Sequence, residues 1–209
     1  MAVVNGYITI DEATAYIGRN ETSDPTELDE VITSASRLID GYCGRHFYQV
    51  AATRYFDSRN LTEVELGPFN DLVSLSSFTF DYSGSGVYGT EVSAAGYQLQ
   101  PVGAASDAPV ARPFTKIRVL QGLQLPQLPT PSGREGLIKL VAVWGWPEVP
   151  VDVKQATKIL VAEVAKLADA PLGVAGFGEF GVVRVQKQMS ARAQQLLQPY
   201  RHPGNIGIA

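Results

Sequence analysis

Cysteine, histidine and methionine are scarce in this chain, whose 209 residues hold one cysteine, two histidines and two methionines. The single Cys43 excludes an internal disulfide, so packing or partners must supply the stability. Cys43, His46 and His202 make three Cys or His ligands in all, one fewer than a structural zinc site takes. There is no G-x-S-x-G elbow, no phosphate-binding loop and no H-E-x-x-H pair, which leaves no frame for the common nucleophilic, phosphoryl-transfer or metalloprotease chemistries. The apolar runs are far too short to cross a bilayer. The first residues, MAVVNGYITIDEATAY, carry neither a basic leader nor a continuous apolar segment, and the expectation is a cytoplasmic start with no membrane partner. Acid is missing from one place: nothing after Glu179 is Asp or Glu.

What is present is an ordinary balance for a folded protein, 45% hydrophobic and 18% charged, in a chain long enough for one core or one core with an insertion. The net charge of −4 is unevenly spread. Residues 1–179 hold 13 basic and 21 acidic residues, giving −8, whereas residues 180–209 carry +4 from Arg184, Lys187, Arg192 and Arg201. Such asymmetry marks either a segment that meets a partner, nucleic acid included, or a solvated basic end.

Local signals divide the chain into helices, strands and helices again. TIDE at 9–12 has the form of a capping box and predicts a short helix ending near Gly18. DPTE at 24–27 places proline at the first position of a second helix, stopped by Gly44. Its apolar residues Leu28, Val31, Ile32, Ala35, Leu38, Ile39 and Tyr42 share one face, and Asp29, Glu30, Ser34 and Arg37 the other. From Arg45 the period shortens. LVSLSSFTFDY alternates Val73, Leu75, Phe78, Phe80 and Tyr82, and further strands are expected at 53–56, 64–66, 97–100, 115–120 and 137–144. Between them PVGAASDAPVARP and the Pro/Gln-rich QGLQLPQLPTPSG read as irregular, the second as an arm, a working loop or a disordered one. A third helix follows Pro150 and runs to about 169, with Val153, Ala156, Leu160, Val164 and Leu167 on one face, widened by Val161 and Ala168, and Lys154, Lys158 and Lys166 outside it. A glycine-rich connection, a strand-like VVRVQ and a short helix at 190–198 close the chain.

Helices at both ends can share a core only if the middle is an insertion, since separate halves would each leave an apolar face exposed. The expected fold class is therefore α+β, a small helical bundle built from both chain ends, 1–47 and 146–209, with a β-rich insertion at 48–145. The joint reads from VWGWPEVPVDVKQA: a returning strand, a bend at Gly145 between Trp144 and Trp146, and prolines, Pro150 last, that stop the sheet and set the first turn of the third helix. Two large rings at such a bend suit an internal anchor or an interface hot spot.

Candidate chemistry is thin. Gly176, Gly178 and Gly181 match G-x-G-x-x-G, but they follow a helix and precede a strand, with no later carboxylate for a ribose, so a loop or hairpin is expected. Cys43 and His46 form CGRH at a helix end, where a reactive pair would still need an orienting base and a metal site further ligands. A structural cysteine beside a histidine that faces the helix dipole accounts for the same residues. Asp57, Glu63, Glu65, Asp71 and Asp81 scatter among turns and strand edges. No catalytic, cofactor-binding or metal residue is assigned, no cofactor is expected, and the sequence argues against an enzyme.

YITIDEATAYIG, LDEVITSASRLIDGYCGRHF, VWGWPEVPVDVKQATKILVAEVAKL and the late LLQPYR, taken in order, resemble the head-tail connector family of tailed bacteriophages, also called adaptor or head completion proteins. The resemblance covers 7–47 and 137–201, and the long middle block looks like that of adaptors with a β insertion. It implies a structural protein of the virion neck, assembled in the host cytoplasm. Such proteins form a ring, usually a dodecamer, that extends the DNA channel beneath the portal protein and meets the next neck protein, a stopper or tail terminator. DNA would pass without sequence-specific binding. On this reading Glu27, Asp29 and Glu30 are channel-facing acids, since residues up to Asp40 carry eight acids against Arg19 and Arg37. Arg184, Lys187, Arg192, Tyr200, Arg201 and His202 are the expected portal or partner contacts, and Trp144, Gly145, Trp146 and Pro150 the structural joint. Alternatives are another neck protein (stopper or tail completion), or a small non-enzymatic binding module, for which an aromatic pocket around Tyr82, Tyr88 or Tyr97 would be the sign. An enzyme built on Cys43 comes last.

Overall fold

The computed structural model describes residues 5–18, 25–104, 111–130, 132–169, 174–176, 182–184 and 189–203, with side chains given for these except at 25, 166–169, 174–176 and 182–184. The fold is mixed α+β. Among the described residues there are four helices, α1 (Ile10–Ile17), α2 (Pro25–Cys43), α3 (Val151–Asp169) and α4 (Ala191–Leu197), and nine strands. These are β1 (Val50–Phe56), β2 (Glu63–Glu65), β3 (Leu72–Phe80), β4 (Thr90–Glu91), β5 (Tyr97–Gln100), β6 (Lys116–Val119), β7 (Ile138–Trp144), β8 (Val174–Gly176) and β9 (Val182–Arg184). The chain divides into two compact units, one from Met1–Gly44 and Val149–Pro203, the other from Arg45–Glu148.

In the helical unit the caps are those written in the sequence. The Thr9 side chain accepts from the Glu12 amide, the Glu12 carboxylate accepts from the Thr9 amide, and Gly18 ends α1 in the left-handed conformation. Helix α3 packs on α1, α2 and α4. The buried face of α2 is rotated from the predicted one. Leu28, Ile32, Ala35 and Ile39 are inside, but so are Asp29, Ser36 and Asp40, while Leu38 is 52% exposed. The cause is the segment before α1. Tyr7 lies over part of the polar flank, its amide donating to Ser36 Oγ and its hydroxyl to Asp40, so hydrogen bonds rather than hydrophobicity place Ser36 and Asp40 inward. Helix α3 buries Val153, Ala156, Leu160 and Val161 as expected, whereas Val164 is 42% exposed.

In the β unit all strand pairs are antiparallel. One sheet runs β1-β7-β3-β4 and another β2-β6-β5, while β8 and β9 pair separately in the helical unit. One core joins the inner faces of both larger sheets: Val64, Leu72, Phe78, Phe80, Ile117, Leu125, Ile138, Leu140 and Trp144. Register irregularities in β3, between Leu72 and Ser74 and between Leu75 and Ser77, explain its broken alternation. They turn Val73 and Leu75 partly outward and leave Leu72, Phe78 and Phe80 in the core. The Pro/Gln-rich stretch is no free arm. Leu125 is 2% exposed and its amide donates to the Leu61 carbonyl, while Gln127 bridges to Ser58.

Candidate partner-contact surfaces

Gly145 and Trp146, just after β7, are held by a residue that sequence reasoning passed over. Asp71, just before β3, is 2% exposed; its Oδ1 receives Arg45 Nη1, its Oδ2 receives Trp146 Nε1 at 3.2 Å, and its carbonyl receives the Gly145 amide at 2.8 Å. The Arg45 guanidinium also lies over the Trp146 ring, which stacks at a tilt on Phe47. Within the β unit, residues 45–47 and 144–146, the two stretches next to its boundaries, are thus held side by side by one aspartate. Burial pushes the Asp71 carboxyl above its usual range, against the opposing pull of Arg45 and Trp146. Trp144 is fully buried one turn of the pleat earlier, with Nε1 donating to the Ala52 carbonyl at 2.8 Å, Phe56 beside it and Arg54 over its face. Gly145 has φ 116°, and a Cβ there would stand 1.9 Å from the Tyr48 carbonyl oxygen. The only signal for Asp71 in the sequence was its position between a turn and an apolar strand.

The acids expected to face a channel do not behave alike. Glu27 and Glu30 are exposed, but Asp29 is only 6% exposed and is corrected here to a buried residue, because the rotated face of α2 carries it inward. Three turns further along α2, burial raises the Asp40 carboxyl to about 6, with the Tyr7 hydroxyl and Arg37 acting in the other direction.

Of the expected portal contacts, three are engaged inside the helical unit. Tyr200 Oη donates to Asp152 at 2.9 Å, the Arg201 guanidinium lies over the Tyr42 ring, and the His202 amide donates to the Cys43 carbonyl at 2.7 Å. Arg192 is exposed on α4. Lys187 and the Arg184 side chain lie outside the described residues. These contacts tie the segment after α4 to α2 and α3, while both described arginines of the group, Arg192 and Arg201, are exposed.

Cys43 is fully buried, and among the described residues no group of three His, Cys, Asp or Glu side chains is placed to hold a metal. His46 is buried with its ring 4.8 Å from that of Tyr48. Gly176 pairs with Val182 across the antiparallel β8–β9 ladder, and Gly178 and Gly181 lie outside the described residues. The three tyrosines that could have lined a reader pocket are dispersed: Tyr82 donates to the Gln124 carbonyl, Tyr88 to the Gly136 carbonyl, and Tyr97 packs edge-on against Phe78. A shallow depression of about 310 Å³ lined by Thr62, Gln98, Arg118, Gln121 and Gln124 contains no tyrosine. Among the described residues no helix is long and apolar enough to cross a membrane.

No family model and no curated protein sequence matches the chain. Solved structures do. The chain is similar to one from the neck of an empty gene transfer agent particle computed with C6 symmetry, at TM-score 0.56 and 21% identity over 96% of this chain and 92% of that one. It is similar to one from the neck of the native particle computed with C12 symmetry, at TM-score 0.55, 21% identity and the same coverage. A third, from the virion of the native particle, gives TM-score 0.52 and 19% identity with the same coverage. At these identities the likeness establishes a shared fold running through nearly the whole chain.

Proposed function

We propose that the chain is a structural protein of the head-tail connector kind, one subunit of a virion ring, of twelve copies, that sits under the capsid portal, extends the DNA channel and joins head to tail. It works by binding rather than catalysis. Its partners are further copies of itself, the portal protein and the next neck protein, a stopper or tail terminator; DNA passes through without sequence-specific contact, and assembly takes place in the host cytoplasm. The observation that carries this reading is fold likeness over 96% of the chain to proteins of a particle neck solved with six- and twelve-fold symmetry.

The proposed architecture is a discontinuous helical connector domain, 1–47 and 146–209, interrupted by the β insertion 48–145 and jointed at Trp144, Gly145, Trp146 and Pro150. The Asp71 clamp supports that joint, because it fixes the entering and leaving chain next to the boundary of the β unit. The basic C-terminal segment is proposed to reach the portal, by an attraction that salt would screen.

Negative-stain microscopy of the chain co-expressed with the portal protein of its own virus, against each alone, tests the proposal. A ring stacked on the narrow end of the portal is expected. A bare portal beside a monomeric chain would overturn it and move the stopper or tail-completion assignment ahead.

A further inference from the structure

We infer that two copies of the free chain pair along the open edge of β1, strand against strand about a two-fold axis, joining their β1-β7-β3-β4 sheets into one. The direction of each backbone group in β1 follows from its neighbours. Leu72 exchanges both backbone bonds with Phe114, and the Asp71 carbonyl receives the Gly145 amide. Trp144, opposite Leu72, therefore turns its own amide and carbonyl the other way, to β1. At the far end the Asp81 amide donates to the Leu137 carbonyl, which turns Ile138 to β1 in the same manner. The register from Val50↔Trp144 to Phe56↔Ile138 is unbroken. Val50, Ala52, Arg54 and Phe56 thus bond to β7, while Ala51, Thr53 and Tyr55 point their amides and carbonyls off the edge. All three are exposed, and among the described residues β7 is the one strand beside β1.

β1 has none of the devices that blunt an edge. It is seven residues long without proline, acid or bulge, and its one cation, Arg54, lies back over the Trp144 ring and bonds to Phe69 and Asn70. The strands at the other edges of the two sheets are blunted. β4 has two residues, β2 has three with Glu63 and Glu65 among them, and β5 has four and runs into Pro101. That leaves a second β1 as the strand this chain can offer in return, and VAATRYF matches itself. Antiparallel pairing centred on Thr53 sets Ala51 against Tyr55 of the second copy and Thr53 against its own counterpart, each pair exchanging both N–H···O=C bonds. Between them Ala52 faces Arg54, and Val50 faces Phe56. Small stands opposite large, threonine meets threonine, and no two like charges are directly opposed. Ala52 and Phe56, which pack against the β core yet stay half-buried, gain the neighbour missing on their open side. A two-fold contact saturates itself, so it is not the contact that closes a ring; it covers the edge before assembly and stands apart from the ring reading.

The test is sedimentation equilibrium of the full chain, with circular dichroism as the folding control. Wild type is expected as a dimer that dissociates on dilution. Thr53→Pro removes an N–H that faces outward in the single copy, so the variant is expected to fold and to be monomeric. Thr53→Lys and Thr53→Glu each set like charges face to face across the axis. Each is expected to weaken pairing by about tenfold or more, and an equimolar mixture of the two to recover it. A wild type that stays monomeric at every concentration, or a dimer indifferent to all three substitutions, would overturn the pairing. So would folded Thr53→Lys and Thr53→Glu copies that fail to pair when mixed. A wild type that forms rings and yields no dimer on dilution would overturn it too, while supporting the ring.

Discussion

At Gly145 a methyl group would have to adopt φ 116° and stand 1.9 Å from the Tyr48 carbonyl oxygen, so Gly145→Ala must strain its own backbone and displace its neighbour. A loss of about 2–4 kcal/mol in urea unfolding is expected. Asp71→Asn keeps the shape of its side chain but leaves the Arg45 guanidinium without a counter-charge in a buried site; about 3 kcal/mol is the expected cost, and a variant as stable as wild type would show that the clamp does not matter to folding. Asp40 has the opposite character. Its folded carboxyl titrates near 6, above the unfolded value, so the folded state takes up a proton first. The resulting stability is complete below about pH 4 and is lost as pH rises through about 6. Asp40→Asn, neutral throughout, should flatten that dependence and be more stable than wild type at pH 8 by on the order of 1 kcal/mol, read from thermal melts across the pH range. Nothing in the sequence distinguishes these two aspartates from the other carboxylates, because burial and the identity of the facing groups are set by distant parts of the chain.

The helices were legible because their signals are local. A capping box at Thr9, proline at the start of α2, Gly44 after its end and Pro150 before α3 each act within a turn of where they stand. Which flank of α2 goes inward was not legible, since it depends on Tyr7, about thirty residues earlier, hydrogen bonding to Ser36 and Asp40. Ile39→Ala should therefore cost about 2–4 kcal/mol and Leu38→Ala less than about 0.5 kcal/mol in the isolated chain, although both residues lie in the same apolar pattern. Equal losses in chemical unfolding would mean that the face is not rotated. Strand positions followed from alternation to within a residue or two at β2, β5, β6 and β7, but β1 begins three residues before the expected 53, β4 was not expected, and the register did not follow at all. The irregularities in β3 were visible only as a stumble in the pattern between Leu75 and Phe78.

For the molecule as a whole, the C-terminal region is where sequence and structure differ most in consequence. The basic end reads as a segment that meets a partner or as a solvated end, yet Tyr200, Arg201 and His202 contact Asp152, Tyr42 and Cys43. Truncation before residue 199 should lower the melting temperature of the helical unit, so portal attachment is to be compared on variants that keep residues 199–203. Equal melting temperatures would show that the contacts at 200–202 carry no stability. By itself the sequence determined the helix ends, the strand-rich middle, the need for glycine and proline at the bend, and the absence of a disulfide framework. Each of these rests on residue chemistry acting over a few positions, or on a count. Tertiary structure alone decided that Asp71 gathers Arg45, Gly145 and Trp146, that Asp29 is buried and Leu38 exposed, and that the Pro/Gln-rich stretch lends Leu125 to the core. These are matters of which distant groups meet, and the free energy of a buried charge or an apolar side chain is set by what it meets.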